Sequence, residues 1–149
     1  MKRAWIAILV LMMFAATAMA AEAPAVTPDP AAATETPKLE GPYLVTTCGQ
    51  SPGAVMVSMS AMEAGVQATH NNSLTAEGIV AGEYKTLIVT CGTSMKGMGA
   101  AGTDVDVEIA RCLQVIEAAK AAGMVIVGAH IEGMARRTDS SDAASIEAI

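Results

Sequence analysis

Aromatic side chains are nearly missing from this chain. Its 149 residues include one Trp, one Phe and two Tyr, and because Trp5 and Phe14 fall in the apolar N-terminal stretch, only Tyr43 and Tyr84 remain beyond it. Sugar-binding and single-strand-binding surfaces usually stack their ligands on aromatic rings, so both uses are disfavoured. Basic residues are scarce as well. Nine Lys and Arg stand against fifteen Asp and Glu, for a net charge of −6. The phosphates of nucleic acid demand a basic face, which such a chain does not offer. Two His and three Cys are present without any CxxC or HxxxH spacing, so no compact metal motif is written into the sequence. No apolar run beyond residue 20 is long enough to cross a bilayer.

What is present begins with MKRAWIAILVLMMFAATAMA. Lys2 and Arg3 precede an uncharged apolar run, and Ala18-Met19-Ala20 stands ahead of Ala21, the pattern of a secretory signal peptide over 1–20. The run is short for a membrane span, and no cysteine marks a lipoprotein cleavage point. A secreted or periplasmic location is expected, with cleavage after Ala20. Cleavage removes Lys2 and Arg3 and takes the net charge from −6 to −8. Residues 21–40, AEAPAVTPDPAAATETPKLE, intersperse proline with alanine, threonine and acids, and are expected to be a disordered linker. A single domain then follows over 41–149, with an aliphatic and methionine-based core.

Within that domain Tyr43 to Thr47 reads as a strand, and Ser51-Pro52 as an N-cap with proline at the first helical position. Val55, Met56, Met59 and Met62 recur at helical spacing, so they are expected to form a buried face ended by Gly65. Val66 to His70 suits a short strand, and Thr75 to Val80 a helical turn. Lys85 to Thr90 is the strongest strand signal, and CGTSMKGMGAAG after it reads as a loop. A helix capped at Thr103 is expected to bury Val105, Ile109, Cys112, Leu113 and Ile116 and to stop at Gly123. Met124 to Ala129 reads as another buried strand, HIEGMARRTDSS as a polar loop, and Asp142 onward as a last helix. This alternation predicts a three-layer α/β fold, a flavodoxin- or Rossmann-like parallel sheet in the order 2-1-3-4. The strand order then reverses between the strands ending at Cys48 and Cys91, where ligands of such folds bind.

Both of those strand ends carry the same phrase. LVTTCGQSPG and LIVTCGTSMKG each place Thr-Cys-Gly-x-Ser after an apolar run. Gly49 and Gly92 allow sharp turns, and Ser51 and Ser94 sit where helices start, an arrangement that aims backbone N–H groups at an anion. The glycine-rich stretch adds Gly97, Gly99 and Gly102, while Lys96, Arg136 and Arg137 add positive charge at the same edge. The expected ligand is a small molecule bearing carboxylate or phosphate. Gly97 to Gly102 matches GxGxxG, but six residues separate it from Thr90, too many for a dinucleotide fingerprint. The glycine after Lys96 excludes a Walker loop.

The alternative is a thiol- or metal-dependent enzyme using Cys48, Cys91 and His130. Cys48 and Cys91, on adjacent strand ends, are either a disulfide or a thiol pair lining the crevice, whereas Cys112 belongs to an apolar helix stripe as a buried free thiol. A soft-metal set of Cys48, Cys91, His70, His130, Met95 and Met98 is chemically acceptable but lacks ligand spacing. The sequence names no cofactor and no metal site, and leaves open whether a reaction is catalysed.

TCGQSPGA at Thr47 to Ala54, YKTLIV at Tyr84 to Val89, KGMGAAG at Lys96 to Gly102 and HIEGMARRTDSSD at His130 to Asp142 together give the chain a likeness to known sequences. It resembles an exported bacterial family catalogued only as a domain of unknown function, over nearly all of Tyr43 to Ile149. The resemblance implies export and an α/β domain, and brings no established activity. Similar sequences continue past the last helix into another apolar strand and a Gly-Asn-x-Asp-Gly segment, which leaves open whether this chain is truncated of a final strand.

Overall fold

The computed structural model describes residues 38–138 and 140–149. The expected signal peptide and all but the last three residues of the expected linker lie outside the described residues, as does Asp139. The elements are β1 (Tyr43–Cys48), α1 (Gly53–Glu63), β2 (Ala68–His70), β3 (Thr86–Cys91), α2 (Met95–Ala101), α3 (Val105–Ala121), β4 (Val125–Ala129) and α4 (Ser140–Glu147), with 3-10 turns at Ala76–Gly78 and Met134–Thr138. The four strands are all parallel, in the order β2-β1-β3-β4 that the alternation predicts. β1 and β3 form the centre, in register from Tyr43 opposite Thr86 to Cys48 opposite Cys91. Their sequences, YLVTTC and TLIVTC, are rich in β-branched residues and almost wholly buried, as a strand covered on both faces requires. β4 lies at an edge, so it is half-buried rather than the buried strand its apolar sequence suggests.

α1 packs on one face of the sheet, and α3 and α4 on the other. On the α3 side Leu44, Cys48, Leu87 and Val89 meet Cys112, Val115, Ile116 and Ala119, an aliphatic core without an aromatic at its centre. The buried stripe of α3 differs from the expected one. Glu108, Val115 and Ala119 are buried with Cys112 and Ile116, while Leu113 is 43% exposed; the inward face carries the Glu108–Arg111 ion pair, whose charges a hydropathy stripe leaves out. Its cap is Asp104 rather than Thr103, the carboxylate accepting the Val107 N–H at 2.9 Å.

Two further expectations are corrected. Met56, Met59 and Met62 are not a buried face: they are 46%, 55% and 72% exposed. α1 instead lies on the sheet through small residues, Gly53 and Ala54 being its buried positions, and small side chains let its backbone approach closely. The stretch read as a loop contains α2, despite glycine's cost of about 1 kcal/mol in a helix. Ser94 caps it by accepting the Gly97 N–H at 3.0 Å, and Gly102, at φ +68°, ends it.

Candidate functional site at the carboxyl edge of the sheet

The repeated Thr-Cys-Gly-x-Ser turns meet. Gly92 N–H donates to the Cys48 carbonyl at 3.1 Å and Ser94 N–H to the Gly49 carbonyl at 2.8 Å, while Gln50 and Thr93 form an isolated bridge. The pairing of β1 with β3 is thus carried past the strand ends. Gly49 is at φ +102°, and a Cβ there would stand 2.5 Å from the Gly92 carbonyl oxygen. Gln50 follows at φ +56°, a conformation uncommon outside glycine. Gly92 needs no positive φ, but it has room only for hydrogen: a Cβ would lie 2.6 Å from Glu132 Oε1 and 2.8 Å from Ser51 Oγ. The N-cap of α1 is Pro52 rather than the expected Ser51, and no side chain caps the helix; Ser51, just before it, accepts the Gly53 N–H on Oγ at 3.4 Å.

Each turn does present an N–H to an anion, and both anions belong to the protein. Gly49 N–H donates to Glu108 Oε2 at 3.4 Å, and Thr93 N–H to Asp142 Oδ1 at 2.7 Å. Each carboxylate is also held by an arginine. Arg111 donates to Glu108 from Nε at 3.2 Å and from a terminal nitrogen at 2.8 Å, and also to the carbonyls of Thr47 and Leu74 at 2.6 and 2.7 Å. Arg136 donates to both oxygens of Asp142 at 3.3 Å and to the Thr93 carbonyl. The two halves of the edge repeat one scheme: turn amide to buried carboxylate, carboxylate to arginine, arginine to turn carbonyl.

Burial works against the charge of both acids, and their partners outweigh it. Hydrogen bonds from Arg111, Gln50 and the Gly49 N–H hold Glu108 below the ordinary carboxylate range. Arg136, the Thr93 N–H and His130 do the same for Asp142. His130 Nε2 stands 3.4 Å from Asp142 Oδ2 with both side chains buried. Glu132 reaches over Gly92; its Oε2 is 3.7 Å from Arg136, while Oε1 and the buried Thr93 hydroxyl have no hydrogen-bond partner among the described residues.

All three cysteines are free thiols and buried. Cys48 faces Cys112 across the core: the hydrogen bond between them and burial push the Cys48 thiol up, and burial pushes up that of Cys91. Cys112 also hydrogen-bonds the Thr47 carbonyl at 3.4 Å. Thiolates are the nucleophiles and metal ligands of cysteine, and the positions of Cys48 and Cys91 disfavour them, whereas the hydrogen bond with Cys48 and the neighbouring Arg111 pull the Cys112 thiol down. Among the described residues no group of three or more His, Cys, Asp or Glu is placed to hold a metal ion. Of the soft-ligand set, Met98 is buried, Met95 is 71% exposed, and His70 stands at β2, apart from the edge formed by β1 and β3.

The expected ligand residues are therefore only partly gathered. Gly49, Ser51, Gly92, Ser94 and Gly97 share the joined turns, with Gly97 pressed against the Gln50 carbonyl, 2.3 Å from where its Cβ would be. Gly99 and Gly102 lie along and after α2, with open space around them. Lys96 is exposed in the first turn of α2. Arg136 is committed to Asp142, whereas the exposed Arg137 lines a pocket of about 370 Å³ with Cys91, Ala129, His130, Ile146 and Ile149. Sequence reasoning missed Glu108 and Arg111 as members of the site. Their spacing of three on the face that carries Cys112 and Val115 was the available signal, since charge on a buried face demands a partner.

Residues 40–149, nearly the whole described unit, match the family model described as Domain of unknown function (DUF6305). The chain belongs to this family. Comparison with curated proteins and with solved structures found no match. The DUF6305 domain of this chain thus has a parallel α/β sheet whose switch point is closed by its own carboxylates. No helix among its described residues is long and apolar enough to cross a membrane.

Proposed function

We propose that this is an exported domain that binds a small anion, a carboxylate or phosphate, at the carboxyl edge of its sheet. The observation that carries the reading is the pocket at the end of β4, of about 370 Å³, whose lining among the described residues includes Arg137 and no Asp or Glu. That volume is in the range of small-molecule sites, which pair apolar walls with a few polar groups. Ile146 and Ile149 supply apolar wall, and Arg137 supplies the fork that carboxylate and phosphate accept. In this reading the turn glycines and serines shape the edge, Lys96 adds to its field from outside that lining, and Arg136 acts through Asp142. Export rests on the N-terminal sequence.

The alternative, a thiol- or metal-dependent enzyme using Cys48, Cys91 and His130, draws on Cys91 and His130 lining the same pocket, which Cys48 does not line. Burial keeps Cys91 in its neutral form, however, and His130 is engaged with Asp142. Calorimetric titration with short-chain carboxylates and with phosphate separates the two. Binding is expected to weaken with salt, to fall about tenfold or more in Arg137→Ala at unchanged melting temperature, and to survive treatment with a thiol alkylating agent. Affinity indifferent to both salt and Arg137 would overturn the anion reading, and a catalytic activity abolished by alkylation would establish the enzyme.

A further inference from the structure

The methionines of α1 line a groove together with a histidine. Val55, Met59 and Met62, at spacings of four and three, share one flank of the helix, beside the small residues that touch the sheet. Across from this flank stands β2. Leu44 belongs to the core on the α3 side, so Val45, the next residue of β1, points to the face that α1 covers. His70 is the parallel partner of Val45, and laterally paired residues point to the same face. The imidazole is thereby directed to the α1 side of the sheet edge. A groove of about 440 Å³ there has Met59, Met62 and His70 in its lining, and every other lining residue is uncharged.

We propose that Met59, Met62 and His70 form a binding site for a soft monovalent cation, Cu(I). Thioether and imidazole are ligands that Cu(I) accepts, whereas calcium and magnesium need oxygen donors that this groove does not concentrate. Thioethers carry no proton, so two of the three donors are available at any pH. The usual packing role of a methionine row is missing here, because Met59 and Met62 are more than half exposed. A groove serving only to dock an apolar partner would need their bulk and not their sulfur, and this difference makes the site testable.

Cu(I) is titrated into the full chain, anaerobically, against a chromogenic Cu(I) chelator. Wild type is expected to withdraw a single equivalent. Met59→Leu with Met62→Leu keeps the groove apolar and removes both sulfurs; it is expected to lose affinity by about tenfold or more at an unchanged melting temperature, and His70→Gln to lose part of it. In methyl-labelled protein the Met59 and Met62 methyl resonances are expected to shift on Cu(I) addition, and that of Met98, which is 1% exposed, to stay in place. No uptake by wild type, leucine variants that bind like wild type, or a methyl shift confined to other methionines overturns the proposal.

Discussion

Glu108→Ala is expected to destabilise the domain by about 3–5 kcal/mol, because removing one partner of a buried ion pair leaves the other charged and uncompensated. The side chains of Glu108 and Arg111 are 4% and 15% exposed, at 2.8 Å. Loss of the carboxylate would strand the Gly49 N–H as well as the guanidinium, although the carbonyls of Thr47 and Leu74 would still hold part of Arg111. Lys120 and Glu117 provide the control: they have the same spacing on the same helix at 2.8 Å, but are 58% and 72% exposed. Glu117→Ala should therefore cost under about 1 kcal/mol. Chemical denaturation of both variants checks the pair, and equal losses would mean that Glu108 is as well solvated as Glu117.

Gly49→Val is expected to cost about 3 kcal/mol or more, combining a side chain at positive φ with a clash against backbone. Its φ of +102° and the 2.5 Å approach to the Gly92 carbonyl act together, and neither has a flexible group to yield. Gly92→Val meets the ends of Glu132 and Ser51 instead, which can move, so its cost should be smaller. Cys48→Ser changes neither backbone nor shape and should cost least. Thermal melts of the three variants give the order. A Cys48→Ser loss exceeding that of Gly49→Val would show that the repeated phrase exists for its thiols and not for its turns.

The sheet was legible because β1 and β3 are six-residue runs rich in β-branched and apolar residues, and because glycines and capping residues mark where the helices between strands begin and end. Right-handed connections between parallel strands leave few orders, and 2-1-3-4 is the flavodoxin-like choice among them. The faces of the helices were less legible. In α1 the large methionines advertised an amphipathic pattern, while the contact was made by Gly53 and Ala54, whose small size carries little hydrophobic signal. In α3 the charged Glu108 lay on the buried face, the reverse of what hydropathy predicts. The edge of the sheet was readable as a place that presents N–H groups to anions. That the anions would be Glu108 and Asp142 was not, since each lies on another element, 59 residues from Gly49 and 49 from Thr93 in the chain.

The amide resonances of Gly49 and Thr93, followed by NMR against pH and against added anion, test this internal closure most directly. Both acids have folded pKa values lowered below those of the unfolded chain. Their stabilisation is therefore complete above the ordinary carboxylate range, about pH 4, and is lost as pH falls through the folded values. The two amide protons are expected to stay fixed when acetate or phosphate is added at neutral pH. On acidification both should move, below about pH 4, together with the side-chain carboxyl signals of Glu108 and Asp142. Amides that respond to added anion at neutral pH, and show no titration in acid, would contradict closure by the protein's own carboxylates.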